Sequence, residues 1–311
     1  MIPLSSADSP DARLLRGAIS IGNFDGVHCG HAALVQQLRA MADRIGGPAV
    51  AVTFAPPPAS LLRPDRLPPQ LTTISRRDEL LRRCGVDGVV VIRTTRELLQ
   101  QSPEAFFQSL VVGSLQARGM VEGPNFFFGR DRAGNPTMLR RLCNQLAIQC
   151  EIAEPETIGD RMVSSTRVRQ LLGDGEVAQA NQLLTARYRL SGTVIGGAGR
   201  GRLLGFPTAN LSDIQTLVPG AGVYACWATV NGKSIGAAVN IGPNPTFGEA
   251  QYKVEVHLLD FSGDLYDQSM SIDFVSRVRA VMQFASVQSL QQQVVADIAE
   301  IRRLLAASPC S

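Results

Sequence analysis

The chain has 311 residues, of which 45% are hydrophobic and 18% are charged, and this predicts a globular protein of one large domain or two ordinary ones. A formal net charge of +3 argues against nucleic acid as the main partner. The six cysteines form no C-x-x-C pair, and neither a secretion signal nor an apolar run of membrane-spanning length is visible. We therefore expect a cytoplasmic protein with free thiols and no membrane association.

The first half of the chain alternates short apolar runs with helical patterns. Strands are predicted at 17–24, 48–54 and 86–93, with a fourth in the stretch ARGMVEG at 117–123, and helices at 31–45, 75–85 and 102–115. Continuously apolar strands that alternate with helices are typical of a parallel α/β sheet. Ligands of such sheets bind beyond the carboxyl ends of the strands, so we expect functional residues in the loops that follow them.

The second half changes character near Tyr188, where short β-rich segments separated by Gly, Asn, Pro and Asp turns replace the helical pattern. This spacing predicts an antiparallel barrel. A terminal helix follows, with Ser286 as its expected N-cap. Its apolar stripe consists of Leu290, Val294, Ile298, Ile301 and Leu305. We predict two domains, 1–186 and 187–311.

Two of the three histidines of the chain, His28 and His31, lie in the stretch GNFDGVHCGH after the first long strand. Three interpretations are open: a metal site, polar caps of the helix, or contact with nucleotide phosphates. Imidazoles three residues apart share a helix face, and a helix N-terminus favours anions. Cys29 points away from that face, which argues against a metal. Phosphate contact is favoured.

Two later segments carry similar chemistry. The stretch GPNFFFGRDRAGN at 123–135 follows a strand and combines glycines, aromatics, Asn125 and arginines, and core packing is expected for at least one of its three phenylalanines. The stretch RMVSSTRVRQLL at 161–172 places three hydroxyl side chains just before an amphipathic helix. Such hydroxyls are either helix caps or, beside the neighbouring arginines, a cradle for a polyphosphate.

These three segments, in this order and spacing, resemble the FMN adenylyltransferase module of bacterial bifunctional riboflavin kinase/FAD synthetases across residues 15–185. The resemblance implies a Rossmann-like nucleotidyltransferase domain in which FMN attacks ATP and pyrophosphate leaves. It implies that His28 and His31 are catalytic through contact with ATP phosphates, and that Ser165, Thr166 and Arg169 bind the pyrophosphate. The other implied residues are Gly22, Phe24 and Gly26 for ATP, and Asn125 and Phe128 for FMN.

Two segments depart from that family pattern. The usual F-x-P-H-P reads FAPPP, with Pro57 in place of histidine, and the helix after Leu71 and Thr72 carries Arg76 and Arg77 where lysine is common. We expect neither departure to touch the core motifs, although both can alter the affinity for FMN.

The stretch GGAGRGRLLGFPTANL at 196–211 predicts either a flexible barrel turn or a loop over phosphates. Thr208 and Asn210 lie on one side of an extended segment, and their oxygens suit Mg²⁺ held mainly by nucleotide phosphates. In KVEVHLLDF, alternation places Glu255 and His257 on one strand face. That face is either simply solvated or carries Glu255 as a general base, and His257 fits a structural role better than a catalytic one.

The second half resembles the riboflavin kinase module of the same family over residues 188–286, through GRLLGFPTAN, GVYA, NIGPNPTF, VEVHLLDF and LYD. The resemblance implies a six-stranded antiparallel barrel and Glu255 as the base for the ribityl hydroxyl. It implies ATP binding by Gly199, Gly201, Thr208 and Asn210, the last two also holding Mg²⁺. The usual L-Y-G is LYD here, so Asp267 puts the loop geometry in question.

The two modules fit one chemical sequence, because the product of the kinase is the substrate of the adenylyltransferase. We predict riboflavin + ATP → FMN + ADP in the barrel, then FMN + ATP → FAD + pyrophosphate in the first domain, both with Mg²⁺. The expected partners are small molecules, and a homo-oligomer stays open. Two alternatives remain: a barrel that only binds flavin as a regulatory module, and a non-catalytic nucleotide- or RNA-binding protein.

Overall fold

The computed structural model describes residues 5–7, 9–159, 161–196, 201, 205–244 and 249–310. The chain divides into two compact units, Met1–Ser164 and Ser165–Ser311. This division follows packing of the chain, whereas the predicted boundary between 186 and 187 follows motifs and stays a prediction. Within the described ranges, no helix combines the length and the apolar character that crossing a membrane requires.

The first unit contains the predicted alternation of strands and helices. Its strands are β1 (Ser5–Ser6), β2 (Ala18–Ile21), β3 (Ala49–Ala55), β4 (Gly88–Arg93), β5 (Gly119–Glu122), β6 (Gln149–Ile152), β7 (Thr157–Ile158) and β8 (Arg161–Met162). Its helices are α1 (Cys29–Ile45), α2 (Pro58–Leu62), α3 (Ile74–Cys84), α4 (Arg96–Gln100), α5 (Pro103–Phe106) and α6 (Pro136–Gln145), with 3-10 turns at Ala12–Leu14, Pro64–Arg66 and Arg130–Arg132. A π-helical segment, Phe107–Ser114, continues α5, so the helix predicted at 102–115 is wound more loosely than expected.

Six parallel strands form one sheet in the order β1-β4-β3-β2-β5-β6, which confirms the predicted parallel α/β architecture. Every residue of β2 is buried, as expected for a strand covered by helices on both faces. From β2 the chain adds strands first on one side, toward β3 and β4, and later on the other, toward β5 and β6. The carboxyl ends of β2 and β5 therefore flank the switch point where open α/β sheets bind ligands.

The second unit begins with two helices and continues as a barrel. Its elements are α7 (Ser165–Gly173), α8 (Val177–Leu183), β9 (Arg189–Ile195), β10 (Ala209–Ser212), β11 (Gly222–Val230), β12 (Lys233–Asn244), β13 (Glu249–Leu258), β14 (Ser269–Arg279) and α9 (Val287–Ala306). The six strands close into an antiparallel barrel in the order β10-β13-β12-β11-β14-β9, so the predicted barrel is confirmed.

The terminal helix α9 covers one side of the barrel. Ile301 and Leu305 of the predicted apolar stripe pack in a buried cluster with Val223 and Leu259 of the barrel. The side chain of Ser286 accepts a hydrogen bond from the Ser289 N–H, which confirms the predicted N-cap.

Candidate active sites

The loop that follows β2 has an unusual backbone. Phe24, Gly26 and Val27 have φ values of 48°, 84° and 43°, in the left-handed region. Glycine adopts this region freely, but a β-branched valine does so rarely. Phe24 and Val27 are nevertheless buried. Such conformations persist only where the surrounding structure fixes them, so the contacts of this loop matter for its shape.

Asp25 supplies those contacts from the middle of the loop. Its carboxylate is buried and accepts hydrogen bonds from the Leu71 N–H, the Thr72 N–H and the Thr72 hydroxyl, each at 3.0 Å. It also accepts one from Arg77 Nη2 at 3.2 Å. The expectation that Arg77 lies apart from the core motifs is therefore wrong, because this arginine contacts the aspartate of GNFDG directly.

His28 and His31 form a reciprocal cap at the start of α1. Nδ1 of His28 accepts the His31 N–H, and Nδ1 of His31 accepts the His28 N–H, both at 3.3 Å. The two rings stack with their centroids 3.6 Å apart and their planes 16° apart. A Cβ on Gly30 would lie 3.2 Å from His28 Nδ1, which explains the glycine of H-x-G-H. The predicted shared face of the two imidazoles is thus observed, and they also cap the helix.

Both imidazoles are neutral near pH 7. Burial lowers the pKa of His28 to about 4, against the opposing charge of Asp25. Burial also holds the pKa of His31 well below its usual value, with His28 and Arg77 acting in the same direction. Because each Nδ1 accepts a backbone N–H, the proton of each neutral ring belongs on Nε2. The pair therefore offers two N–H donors, which suit phosphate oxygens better than a metal cation.

The described residues contain no group of three or more His, Cys, Asp or Glu side chains that could hold a metal ion. Among those residues, His28 and His31 therefore have no third side chain of these types beside them with which to hold a metal ion.

The loop after β5 lies at the same edge of the sheet as the loop after β2, because these strands are parallel neighbours. Asn125 is exposed there. Phe128 is buried in the core and stacks on Phe126, with centroids 5.3 Å apart, so its assignment to FMN stays a prediction. Phe127 is the exposed aromatic of this run, and the Arg132 guanidinium lies 4.8 Å from its ring centroid.

Glu122, the last residue of β5, was missed by the sequence reasoning. Its carboxyl is buried and accepts the Ile21 N–H at 2.7 Å, which joins the carboxyl ends of β2 and β5. Burial raises the pKa of Glu122 well above its usual value, although the Ile21 hydrogen bond opposes this. The sequence does contain an indication of this residue, because Glu122 is the one charged side chain in the otherwise apolar strand GMVE.

The raised pKa of Glu122 predicts a pH-dependent gain in stability for Glu122→Gln. The unfolded chain ionises this carboxyl above about pH 4.3, whereas the folded chain keeps the proton, so its contribution to stability falls as pH rises toward the folded pKa. Glutamine retains the acceptor for Ile21 and does not titrate. We expect the variant to exceed the wild type in free energy of unfolding by at least about 1.4 kcal/mol near pH 8, and by less near pH 5.

Urea unfolding of both proteins at the two pH values tests this, with Glu154→Gln as the same substitution at an exposed position for control. Equal behaviour of Glu122→Gln and wild type at both pH values would show that Glu122 is not held protonated.

The predicted pyrophosphate residues belong to the second unit. Ser165 is the first residue of α7, Thr166 is exposed, and Arg169 lies one turn further along the same helix face as Ser165. Val168 and Leu172 are the buried positions of this helix. The roles of the three polar residues stay predictions.

Three polar residues line up across three neighbouring strands of the barrel. Glu255 on β13 pairs in register with Asn210 on β10 and with Asn240 on β12. Residues opposite each other in an antiparallel sheet share a face, and Asn240 Nδ2 donates to Glu255 Oε2 at 3.4 Å. Val254 and Val256 are buried on the other face. Sequence reasoning identified Asn210 and Glu255 but missed Asn240.

The segment that leads into Thr208 is held from two sides. His257 Nδ1 lies 2.8 Å from the Pro207 carbonyl oxygen, so this histidine fixes the loop, as the structural interpretation expected. The Phe206 N–H donates to the Gly201 carbonyl, and a Cβ on Gly201 would lie 2.4 Å from the Phe206 oxygen. Thr208 itself is exposed. Gly199 lies outside the described residues.

The departure at LYD has a backbone explanation. Asp267 has φ 62°, a left-handed conformation that glycine adopts freely and that aspartate tolerates better than most residues. The Asp267 N–H donates to the Val194 carbonyl at 2.9 Å. Asp267 thus adopts a backbone conformation that a glycine at this position would also adopt freely.

The first unit presents two imidazole N–H donors at a sheet switch point, and the second aligns a carboxylate with two amides across three barrel strands. This combination defines a two-domain transferase that acts on nucleotides. The family model for FAD synthetase matches residues 12–167, and the model for riboflavin kinase matches residues 184–305. The chain belongs to the family of bifunctional riboflavin kinase/FMN adenylyltransferases, with the FAD synthetase domain first and the kinase domain second.

Relatives of that name resemble the chain over nearly its whole length. The Pseudomonas fluorescens enzyme is 35% identical over 94% of both chains, and the Escherichia coli K12 enzyme is 34% identical over 90% of both. The Bacillus subtilis enzyme is 32% identical over 93% of this chain and 92% of that one. The crystal structure of a macrolide-efflux protein from Streptococcus pneumoniae is also similar, with a TM-score of 0.86, 28% identity, and coverage of 97% of this chain and 98% of that chain.

Proposed function

We propose that this chain phosphorylates riboflavin to FMN in the barrel domain, residues 187–311, and then adenylylates FMN to FAD in the first domain, residues 1–186. The two activities follow from the family. The observation that carries their assignment to particular residues is the pair of neutral, stacked imidazoles whose Nδ1 atoms accept backbone N–H groups, so that Nε2–H of each ring is the donor that remains for a phosphate.

In the adenylyl transfer, a phosphate oxygen of FMN attacks the α-phosphorus of ATP and pyrophosphate leaves. No residue of the protein has to act as nucleophile, so catalysis rests on position and on stabilisation of developing charge. His28 and His31 donate Nε2–H hydrogen bonds to the ATP phosphates. Gly22 and Gly26 have no side chain, so the main chain can approach the nucleotide closely there. Phe24 belongs to the same loop.

Asn125 and Phe128 serve the FMN side of this reaction, and Ser165, Thr166 and Arg169 bind the leaving pyrophosphate. The exposed amide of Asn125 supports the first assignment. A hydroxyl at a helix start with an arginine one turn later supports the second, because such groups donate to phosphate oxygens.

In the kinase reaction, the ribityl 5′-hydroxyl attacks the γ-phosphorus of ATP and ADP leaves. Glu255 takes the hydroxyl proton as the new P–O bond forms. Gly199 and Gly201 belong to the loop that binds ATP, and Thr208 and Asn210 would hold the Mg²⁺ that accompanies the nucleotide. The register of Asn210 with Glu255 supports this proposal, because it puts the base and a nucleotide-binding group on adjacent strands.

Mg²⁺ fits the residues of the barrel site. Thr208 offers an exposed hydroxyl and Asn210 an amide, which are hard oxygen donors for an ion held mainly by nucleotide phosphates. When bound, Mg²⁺ neutralises phosphate charge. None of the six cysteines forms a disulfide bond, which supports a reducing, cytoplasmic setting.

A time course of flavins tests the proposal. The purified chain is incubated with riboflavin, ATP and Mg²⁺, and the flavins are separated by chromatography. We expect FMN to appear first and then to give way to FAD. If riboflavin is not converted but supplied FMN yields FAD, the barrel is a flavin-binding regulatory module instead. No conversion of either flavin would contradict both assignments.

A further inference from the structure

We propose that Arg77 is a positioning residue for FMN adenylylation, acting through Asp25 on the Phe24–Val27 loop that places His28 and His31. The inference rests on the proposed function of those histidines. It assigns Arg77 no contact with substrate.

Arg77 is almost completely buried, which is rare for arginine and indicates that its contacts are specific. Nη2 donates to Asp25 Oδ1 at 3.2 Å and to Gln70 Oε1 at 3.1 Å. Nη1 donates to the Thr53 hydroxyl at 3.1 Å, and Nε to the Thr72 hydroxyl at 3.4 Å. One planar guanidinium thus contacts four side chains from three different segments.

Two of these partners, Thr53 and Thr72, also form hydrogen bonds to the backbone of the loop. The Thr53 hydroxyl donates to the Asn23 carbonyl at 3.1 Å, just before the left-handed residues. The Gly26 N–H donates to the Thr72 hydroxyl at 3.1 Å, just after Asp25. Arg77 therefore holds the loop at Asn23, Asp25 and Gly26, on both sides of the strained Phe24.

The loop ends directly at His28, whose ring position depends on where the chain enters α1. Phe24 also contacts the His31 ring edge-on, with centroids 5.2 Å apart. If the tether to Asp25 is lost, the left-handed residues can relax toward ordinary conformations, and the imidazoles move with them. A misplacement of about 1 Å is enough to slow a positioned reaction about 100-fold.

The charge of Arg77 also acts on His31. Together with burial and His28, Arg77 keeps the pKa of His31 low, so the ring stays a neutral donor. Removing Arg77 therefore shifts the acid limb of the pH profile of FAD formation toward higher pH. The groups that act on this limb are His28, His31, Arg77 and Asp25.

The first test compares Arg77→Met with Arg83→Met, an exposed arginine on the same helix α3. FAD formation from FMN and riboflavin phosphorylation are measured in the same full-length preparation. We expect Arg77→Met to lower kcat for FAD formation about 100-fold, with FMN formation from riboflavin unchanged within about twofold. Arg83→Met should leave both activities unchanged.

A second variant separates positioning from stability. Arg77→Met alone leaves the Asp25 carboxylate buried without its cation, which can unfold the domain. Asp25→Asn combined with Arg77→Met removes both charges, so we expect it to recover the thermal unfolding midpoint while kcat for FAD formation stays low. Arg77→Lys, which keeps the charge but not the fork of donors, should recover part of kcat and the wild-type acid limb.

The possible outcomes separate the proposed function of the first domain from the positioning role of Arg77. A wild type that makes no FAD from FMN removes the proposed function itself. If the wild type forms FAD and Arg77→Met forms it with an equal kcat, only the positioning role of Arg77 is contradicted. Recovery of kcat together with stability in the double variant would also overturn it, since Arg77 would then serve the fold alone.

Discussion

His28→Asn is expected to lower the rate of FAD formation from FMN and ATP by about 100-fold to 1,000-fold, the range for removing one preorganised donor to developing charge. Asparagine is among the best N-cap residues, so its side chain can still accept the His31 N–H that His28 Nδ1 accepts now. The substitution therefore removes the Nε2–H donor and keeps the helix start. We expect kcat to fall more than the affinity for ATP.

The bifunctional chain supplies its own control. Formation of FMN from riboflavin should be unchanged within about twofold in the same tube, because that reaction belongs to the barrel domain. Cys29→Ala, the next residue along, should leave both rates near the wild type. Wild-type FAD formation by His28→Asn would show that the imidazole is only a helix cap, which is the alternative that the sequence left open.

Local motifs predicted much of this protein because the required chemistry is local. In H-x-G-H, the two rings, the glycine that makes room for them and the helix start lie within four residues, so order and spacing specify the geometry. The parallel sheet was equally accessible, since β2 is short, apolar and buried throughout. The strand β1, of two residues, and the half-buried β6 gave no such pattern.

Contacts between distant positions were not predictable in this way. Asp25 and Arg77 are 52 positions apart, and arginine at a helix start ordinarily indicates an exposed charge. The partnership of Asn240 with Glu255 depends on the register between β12 and β13, which alternation of residue types does not determine. Conversely, the sequence alone indicated only that Asp267 replaces a glycine of the motif. Its left-handed backbone conformation became known from the structure.

Glu255→Gln is expected to lower FMN formation from riboflavin by about 100-fold to 10,000-fold, the range for general base catalysis. Glutamine is isosteric and keeps an oxygen that can accept from Asn240 Nδ2, so the alignment across β10, β13 and β12 is retained. What is lost is the ability to take the proton of the attacking hydroxyl. The affinity for ATP should change little, because Thr208 and Asn210 are untouched.

FAD formation from supplied FMN is the internal control and should stay within about twofold of the wild type. Glu300→Gln, the same change on an exposed glutamate of α9 paired with Arg303, controls for loss of charge in the barrel domain. A loose phosphoryl-transfer transition state would need little help from a base, so the size of the loss in Glu255→Gln distinguishes general base catalysis from such a transition state. If Glu255→Gln forms FMN within about threefold of the wild type, proton removal by this residue is not part of the rate-determining step, and positioning of ATP by the F-P-T-A-N segment accounts for the catalysis.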